Sequence, residues 1–320
     1  MSRLLNGLLF LTVCSCYKIV IFAPEISNSQ VGWNKRFAET LAKAGHDVTV
    51  ILLQSMEDAE KDVQFSKDVK VGRRGTDSAM EADRIDSIFL NFWVTAHLLT
   101  ALDPCPGVSR LLDADPPLPH HGTQLQVMVN SNELYELPRP TLSKVVHIGG
   151  LGVEYEDAKP LQGEFKQIAD SGKGVVVMSF GSVAHAEMMP EQWKTAFLNA
   201  FAQYPEHEFV IKYANDDLKH RLPPNVHTYR WLPQADLLLH PSTKAFISHG
   251  GYNSIQESIN FGVPLITIPL FGDQFKNSKI AAKHGFAVNL KKGTLDEASI
   301  AAALKEVLNN ETLDNAEKPM

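Results

Sequence analysis

The sequence predicts an α/β fold built from parallel sheets, and three features of the chain support this prediction. Short apolar runs rich in β-branched residues recur along it, stretches with helical apolar periodicity lie between these runs, and glycine or proline marks most junctions. Strands that alternate with helices pair in parallel and carry the helices on the faces of the sheet. The pattern is therefore that of doubly wound α/β domains.

Composition narrows the class of protein further. The chain has 320 residues, of which 44% are hydrophobic and 21% are charged, and this length can supply two hydrophobic cores. The formal net charge is −7 and no basic run occurs, which disfavours a nucleic-acid partner. The sequence has neither a CxxC nor an HExxH pattern, so we expect no metal site.

The N-terminal residues have the layout of a secretory signal peptide. Arg3 precedes an apolar run over residues 4–13, and small residues follow as far as Cys16. Alternatively the run is a first buried strand, but residues 18–22 make a better one. We expect cleavage after Cys16 and entry into the secretory pathway, which would leave Cys105 as the remaining cysteine.

The first domain opens with a βαβ pattern. Strands are predicted over residues 17–24 and 47–53, and a helix over residues 31–44 ends at Gly45. A polar loop, residues 25–30, joins the first strand to this helix. Such a unit forms a parallel sheet.

The middle of the chain is less regular. Residues 54–86 are polar and lack a clear period, whereas residues 85–102 predict one helix. A proline-rich segment over residues 103–119 follows. Two strands are then predicted over residues 125–130 and 145–148, and the second marks the exit from the first domain.

The C-terminal half is regular. Six strands are predicted, over residues 174–180, 208–212, 225–229, 244–248, 264–268 and 286–290. Helices are predicted over residues 190–201, 235–239, 274–284 and 296–308, with one more after the glycine pair at 250–251. Ligands of doubly wound folds bind outside the carboxyl ends of the strands. The candidates are therefore the polar residues that follow strands: Ser182, residues 231–234, residues 249–254 and residues 273–274.

The glycine turn after residues 244–248 gives the clearest signal for a binding site. His249 lies between the strand and the glycines, where it can donate to a phosphate oxygen beside the N–H groups from Gly251 onward. A lone histidine more often caps a strand or is satisfied in the core, but the glycines favour a phosphate site. Trp231 can stack on a planar base with Gln234 at its edge, although tryptophan is more commonly a core residue.

The other polar candidates have two interpretations each. Asn253 and Ser254 suit donation to the same diphosphate, whereas Ser254 with Glu257 also fits a capping box. Glu257 suits instead the acceptance of hydrogen bonds from ribose hydroxyls. Asp273 and Gln274 suit recognition of sugar hydroxyls, whereas Asp273 also fits the N-cap of the next helix.

Two segments together form a specific pattern: F-I-S-H-G-G-Y-N-S-I-Q-E at residues 246–257 and P-L-I-T-I-P-L-F-G-D-Q at residues 264–274. The pair resembles the signature of the UDP-glycosyltransferase family, whose animal branch includes the UDP-glucuronosyltransferases. The segments R-W-L-P-Q-A-D-L-L-L-H-P (residues 230–241) and F-G-S (residues 180–182) are also similar to the family. The resemblance is close over about residues 127–308.

The resemblance implies a GT-B fold with two Rossmann-like parallel-sheet domains, the N-terminal one truncated. After the predicted signal peptide at residues 1–16, it implies a shortened acceptor-side domain at residues 17–152 and a UDP-sugar-binding domain at residues 153–320. Trp231 would stack on uracil, Gln234 would contact base and ribose, and Glu257 would bind the ribose hydroxyls. The other matching residues would hold the diphosphate (Ser182, His249, Gly251, Asn253 and Ser254) and the donor sugar (Asp273 and Gln274).

The reaction implied by the resemblance is transfer of a hexose or glucuronosyl group from a UDP-sugar to a hydroxyl of a small lipophilic acceptor. It proceeds with inversion, without a metal and without a resident cofactor, and UDP-glucuronate or UDP-glucose is the co-substrate. The resemblance also implies that the protein lies in the endoplasmic reticulum, associates with a membrane and takes part in detoxification. A homo-oligomer is compatible with it. Family members usually end in a membrane span, for which this sequence has no apolar stretch.

The residue at the position of the expected catalytic base differs from the family pattern. Family members usually have a histidine in the loop after the first strand, whereas Gln30 stands there in this chain. A neutral amide cannot act as a general base. The aspartate that would orient the base has candidates by residue type only, namely Asp103, Asp113 and Asp115, and the shortening falls between residues 102 and 117.

Two hypotheses compete with an active glycosyltransferase. One is a catalytically impaired chain that binds UDP-sugar, either a truncated isoform or an incomplete gene model. The other is an unrelated dinucleotide enzyme, which is disfavoured because no G-x-G-x-x-G follows the strands at Ile19 and Val175.

Overall fold

The structure is a computed structural model that describes residues 18–24, 28–54, 63–75, 96–99, 126–138, 140–143, 145–149 and 158–309. Two compact units are present. The described residues up to Gly75 belong to the first, and those from Met128 onward belong to the second. The predicted signal peptide and the predicted domain boundary between residues 152 and 153 lie outside the described residues and stay predictions.

The first unit contains the predicted βαβ pattern. Strand β1 (Lys18–Pro24), helix α1 (Asn28–Lys43) and strand β2 (Asp47–Gln54) follow in order, and β1 pairs with β2 in parallel. Strand β3 (Val69–Gly75) extends this sheet in the order β1-β2-β3, also in parallel. Buried side chains from α1, such as Phe37, help to form the core of this unit.

The start of α1 corrects the prediction of a loop over residues 25–30. The helix begins at Asn28, so Gln30 lies in its first turn rather than in the loop. Residues 28–30 are polar and carry no apolar period, which is why they were predicted as loop. First-turn positions tolerate such residues because their N–H groups have no partner within the helix.

Two further differences fall in the irregular middle of the chain. Strand β3 was not predicted, because Lys70, Arg73 and Arg74 obscure the apolar character of a strand at the edge of its sheet. The predicted helix over residues 85–102 is wrong at Ala96–Leu99, which form strand β4. Short apolar runs do not distinguish a strand from a helix, and the rest of that segment lies outside the described residues.

The two predicted strands before the regular half are confirmed. Strand β5 spans Gln126–Val129 and strand β6 spans Val145–His147. Together with β4 they form a small sheet of order β4-β5-β6. The proline-rich segment at residues 103–119 lies outside the described residues.

The C-terminal half is a doubly wound domain, as predicted. Its six strands are β7 (Gly174–Ser179), β8 (His207–Lys212), β9 (Val226–Tyr229), β10 (Thr243–Ser248), β11 (Leu265–Thr267) and β12 (Ala287–Asn289). All neighbouring strands pair in parallel, in the order β12-β11-β10-β7-β8-β9. Strands β7 and β10 are therefore central in the sheet, and β9 and β12 are its edges.

Six helices accompany this sheet: α2 (Gly163–Ser171), α3 (Glu191–Ala202), α4 (Gln234–Leu239), α5 (Tyr252–Phe261), α6 (Gln274–Lys283) and α7 (Glu297–Leu308). Helix α2 was not predicted, because only a few apolar residues mark its buried face. The other five agree with the predicted helices to within a few residues.

The core of this domain has two layers, one on each face of the sheet. Val176 and Met178 of β7 pack with side chains of α3 and α7, whereas Val175 and Val177 pack with side chains of α2, α4, α5 and α6. Alternate residues of a strand point to opposite faces, and every residue of β7 is buried. Such a strand supports loops at its carboxyl end on a rigid base.

No helix in the described part of the chain is long and apolar enough to cross a membrane.

Candidate functional site

The two central strands end side by side in matching turns. Ser179 of β7 and Ser248 of β10 are register partners, and each is the last residue of its strand. Two residues later come Gly181 and Gly250, both with φ of +80°, which favours glycine. In each turn the glycine N–H donates to the serine Oγ at 3.2 Å. The sequence thus repeats Ser-x-Gly at adjacent strand ends.

His249 lies between two glycines that leave room for its ring. A methyl group on the Cα of Gly181 would lie 2.8 Å from Cε1 of His249, and one on Gly251 would lie 2.6 Å from Nε2. Alanine at either position would therefore clash with the ring. The imidazole depends on both glycines for its position.

The electrostatic surroundings of His249 keep its ring neutral. Burial, and to a smaller extent the positive charge of Lys212, lower the pKa of His249 to about 4. Its Nδ1 atom is buried and has no hydrogen-bond partner among the described residues. The core thus leaves this nitrogen without a partner, which a ligand or an ordered water can supply.

Helix α5 begins three residues after this histidine, at Tyr252. Gly251 is its N-cap residue, and Asn253 and Ser254 are the second and third residues of the helix. The capping-box alternative for Ser254 and Glu257 is therefore wrong, because the helix begins before Ser254. Since glycine has no side chain to cap the helix, a bound anion would suit the N–H groups of the first turn.

Glu257 is hydrogen-bonded to a second predicted site residue. The side-chain amide Nε2 of Gln234, the first residue of α4, donates to Oε2 of Glu257 at 2.5 Å. The two residues are 23 positions apart in the sequence. The structure thus brings together the pair that was expected to contact the ribose.

Trp231 is exposed rather than buried in the core. Its side chain is 66% exposed, which rules out the core alternative. The Nζ atom of Lys212 lies 4.5 Å from the centre of its ring. The same Nζ donates to the carbonyl oxygen of Gly181 at 2.9 Å. The sequence did not indicate Lys212, because its contacts are made by loops that are distant along the chain.

Asp273 and Gln274 lie at the start of α6, in different environments. Asp273 is the N-cap residue but makes no side-chain cap bond, and its Oδ2 accepts from Nδ2 of Asn277 at 2.7 Å. Gln274 is buried, and its Oε1 accepts from the backbone N–H groups of Leu270 and Phe271 at 2.9 and 3.1 Å. The amide oxygen of Gln274 is thus occupied by its own loop, and a sugar contact would fall to its NH₂ group.

Asn277 links this loop to the glycine turn and was also not predicted. Its Nδ2 donates to the carbonyl oxygen of Gly250 at 3.3 Å as well as to Asp273. Its backbone carbonyl accepts from the hydroxyl of Tyr135 at 3.2 Å. Helix α6 also approaches the turn closely, since a methyl group on Gly250 would lie 2.3 Å from Oγ of Ser278.

The remaining candidates lie at the same edge of the sheet. Ser182 follows Gly181 and is exposed, and Asn253 is half-buried. Two surface clefts of about 430 and 450 Å³ border the segment at residues 230–236, the first lined by Arg230 and the second by Pro233 and Asp236. No cluster of three His, Cys, Asp or Glu residues that could hold a metal occurs in the described part of the chain.

Comparison with known proteins identifies the family. The family model described as UDP-glucoronosyl and UDP-glucosyl transferase matches residues 108–317. The chain belongs to this family. Its UDP-glycosyltransferase relatives include UDP-glucuronosyltransferase 2B17 of Rattus norvegicus, with 35% identity over 71% of this chain and 42% of the relative.

Other curated family members have similar identities to this chain, also over part of their length. UDP-glucuronosyltransferase 2B14 of Oryctolagus cuniculus is 40% identical over 55% of this chain and 32% of its own length. UDP-glucosyltransferase 2 of Dactylopius coccus is 33% identical over 61% of this chain and 37% of its own length. The match to each of these three curated relatives therefore spans less than half of the relative's length.

Solved structures of glycosyltransferases share the fold. The glycotransferase of kitacinnamycin superimposes with a TM-score of 0.61 and 15% identity, over 93% of this chain and 92% of that one. The calicheamicin glycosyltransferase CalG4 superimposes with a TM-score of 0.56 and 14% identity, over 94% and 92%. These similarities, together with the parallel sheets, confirm the predicted GT-B fold of this UDP-glycosyltransferase family member.

Proposed function

We propose that the chain binds a UDP-sugar at the carboxyl edge of its six-stranded sheet and belongs to an enzyme that transfers the sugar to an acceptor hydroxyl. The observation that carries this proposal is the position of His249, a neutral, half-buried imidazole held between Gly181 and Gly251 just before α5. A neutral donor beside a helix N-terminus suits a diphosphate.

Each part of the site has a part of the donor to bind. The exposed ring of Trp231 stacks on uracil, and the hydrogen-bonded pair of Gln234 and Glu257 binds the ribose hydroxyls. Five residues hold the diphosphate: Ser182, His249, Gly251, Asn253 and Ser254. Asp273 and the NH₂ group of Gln274 hold the donor sugar.

The reaction inverts the anomeric centre and uses no metal and no resident cofactor. A base takes the proton of the acceptor hydroxyl as the hydroxyl oxygen attacks C1 of the sugar, and the bond from C1 to the diphosphate oxygen breaks. Negative charge then develops on the departing UDP, where the His249 donor and the first turn of α5 stabilise it. The acceptor is a small lipophilic alcohol or phenol, and the protein acts in the lumen of the endoplasmic reticulum.

The donor sugar is either glucose or glucuronate. Named relatives include both a UDP-glucosyltransferase and UDP-glucuronosyltransferases. The two sugars differ by a carboxylate, and the contacts described for Asp273 and Gln274 favour neither. UDP-glucose and UDP-glucuronate should both be offered as donors.

One observation favours a second function, UDP-sugar binding with impaired catalysis. Gln30 stands where family members usually carry a histidine base, and it lies in the first turn of α1. General base catalysis contributes about 10²–10⁴-fold to rate, so its loss would leave weak turnover. Restoring a histidine by Gln30→His should raise turnover without changing UDP affinity if this second function is correct.

Calorimetry with UDP and an assay for UDP release in the presence of several phenols test both functions. Tight UDP binding with rapid release supports the active enzyme, and binding with slow release supports the impaired one. A chain that binds no UDP would contradict the donor site itself. Binding by the wild type should be lost in His249→Ala.

A further inference from the structure

Lys212 lies where three loops of the proposed site meet. It is the last residue of β8, which pairs in parallel with β7 through partners such as Met178 and Ile211. Its side chain therefore starts at the same edge of the sheet as the turn that contains Gly181. The side chain is half-buried.

The ammonium group of Lys212 contacts two of these loops directly. It donates to the carbonyl oxygen of Gly181, in the loop after β7, at 2.9 Å. It also lies 4.5 Å from the ring centre of Trp231, in the loop after β9. A lysine at this distance from an indole is attracted to the ring face. The base-binding ring and the diphosphate-binding turn are thus joined through one side chain.

The positive charge of Lys212 also acts on the third loop, the one after β10. Lys212 contributes to the low pKa of His249, which follows β10. Two surface lysines of the same domain differ from Lys212: Lys166 pairs with Asp170 on its own helix, and Lys219 pairs with the nearby Asp216. Those pairs join neighbouring residues, whereas Lys212 joins segments far apart in the sequence.

We propose that Lys212 is a positioning residue that fixes the Trp231 ring relative to the Gly181 turn and so sets the spacing between the base and diphosphate ends of the site. This inference rests on the proposed UDP-sugar site. In UDP one ribose joins uracil to the phosphates, so the distance between these two ends varies only within a limited range. A site whose two ends are held within that range loses less entropy on binding than one whose ends move independently.

The test compares three variants of the full chain by calorimetry with UDP and with uridine. Lys212→Met removes the charge and the donor, Lys212→Arg keeps both, and Lys166→Met removes a matched surface lysine outside the site. We expect Lys212→Met to weaken UDP binding about tenfold, and Lys212→Arg to stay within about threefold of the wild type. Lys166→Met should bind UDP as the wild type does.

A double-mutant cycle separates positioning from general destabilisation. If Lys212 acts through Trp231, Lys212→Met should weaken uridine binding much less in a Trp231→Ala background than in the wild type. A merely structural role would give the same loss in both backgrounds. Should Lys212→Met not fold, as judged by thermal unfolding, Lys212→Gln takes its place in the cycle.

The outcomes distinguish this inference from the proposed function. If the wild type binds no UDP, the donor site is wrong and the role of Lys212 is wrong with it. If the wild type binds UDP and the variants with methionine or glutamine bind equally well, the donor site stands and the role of Lys212 is overturned. Additive losses in the cycle also overturn it.

Discussion

Ser179 and Ser248 are register partners at the ends of the two central strands, and each accepts a hydrogen bond from a glycine two residues later. The two turns differ in the residue between serine and glycine. It is the buried Phe180 in one turn and His249 in the other. An imidazole thus replaces a core phenylalanine in otherwise matching turns, which places a polar ring at the carboxyl edge of the sheet.

Gly251→Ala should weaken UDP binding by about tenfold or more, because its methyl group would lie 2.6 Å from Nε2 of His249. The φ of Gly251 is −61°, so alanine adopts this backbone without strain and the effect comes from the displaced ring. Calorimetry with UDP measures the loss. Gly293→Ala is the control, since a methyl group there has no neighbour within 4 Å. Equal affinities for both variants would contradict the role of the glycine.

The stability of the protein should fall in mild acid because of His249. Its pKa is about 4 in the folded protein against an ordinary value of 6.5, so the unfolded chain takes up the proton first. The stabilisation from the neutral ring is complete above pH 6.5 and is lost as the pH falls from 6.5 to about 4. Between pH 7 and pH 5 this amounts to about 2 kcal/mol.

Urea unfolding at both pH values, on the wild type and on His249→Gln, measures this effect. Glutamine does not titrate, so the free energy of unfolding of the variant should fall by about 2 kcal/mol less than that of the wild type. Other histidines with a lowered pKa, such as the half-buried His207, are present in both proteins and cancel in the difference. Parallel pH dependences would show that His249 does not titrate as described.

Glu257→Ala should remove the preference for a ribose over a deoxyribose. The carboxylate already accepts a hydrogen bond from Gln234 and can accept another from a ribose hydroxyl. We expect the wild type to bind UDP about tenfold more tightly than 2′-deoxy-UDP, and Glu257→Ala to bind both alike. Glu306→Ala, an exposed position on α7, is the matched control. A preference that survives in Glu257→Ala would assign the ribose contact elsewhere.

Asn277→Ala should destabilise the fold and loosen the loop that carries Asp273. The buried amide donates to both Gly250 and Asp273, so its removal leaves the carbonyl of Gly250 without this donor. We expect a loss of about 1–3 kcal/mol in the free energy of unfolding, measured in urea. Asn199→Ala, which removes an exposed bond to Glu297, should cost far less. Similar losses in both variants would argue against a special role for Asn277.

The strands and helices of the C-terminal half were predictable because their signals are local. Strand β10 is a β-branched and aromatic run, and glycines mark the start of α5. Strand β3 was missed because an edge strand can carry charged residues such as Lys70 on its exposed positions. The predicted helix at residues 85–102 failed at β4 because four apolar residues fit either structure.

The residues of the candidate site likewise divide into those that a local sequence pattern indicates and those that it does not. His249, Gln234 and Glu257 lie in segments whose spacing carries the family pattern. Lys212 and Asn277 act through contacts with residues 31 and 27 positions away, and no local pattern reports such contacts. Sequence reasoning located the polar ends of the strands, whereas only the structure shows which side chains connect them.

The order of strands in the large sheet predicts that the elements beneath the two halves of the site differ in how readily they open. The turns that hold His249 follow β7 and β10, the central strands of the sheet, whereas Trp231 follows β9, an edge strand. Local opening of a domain spreads from its least protected elements, so amide protons of β9 should exchange with solvent long before those of β7. The proposed contact to the base therefore depends on the strand that opens most readily, and the proposed contacts to the phosphates depend on the strands that open least.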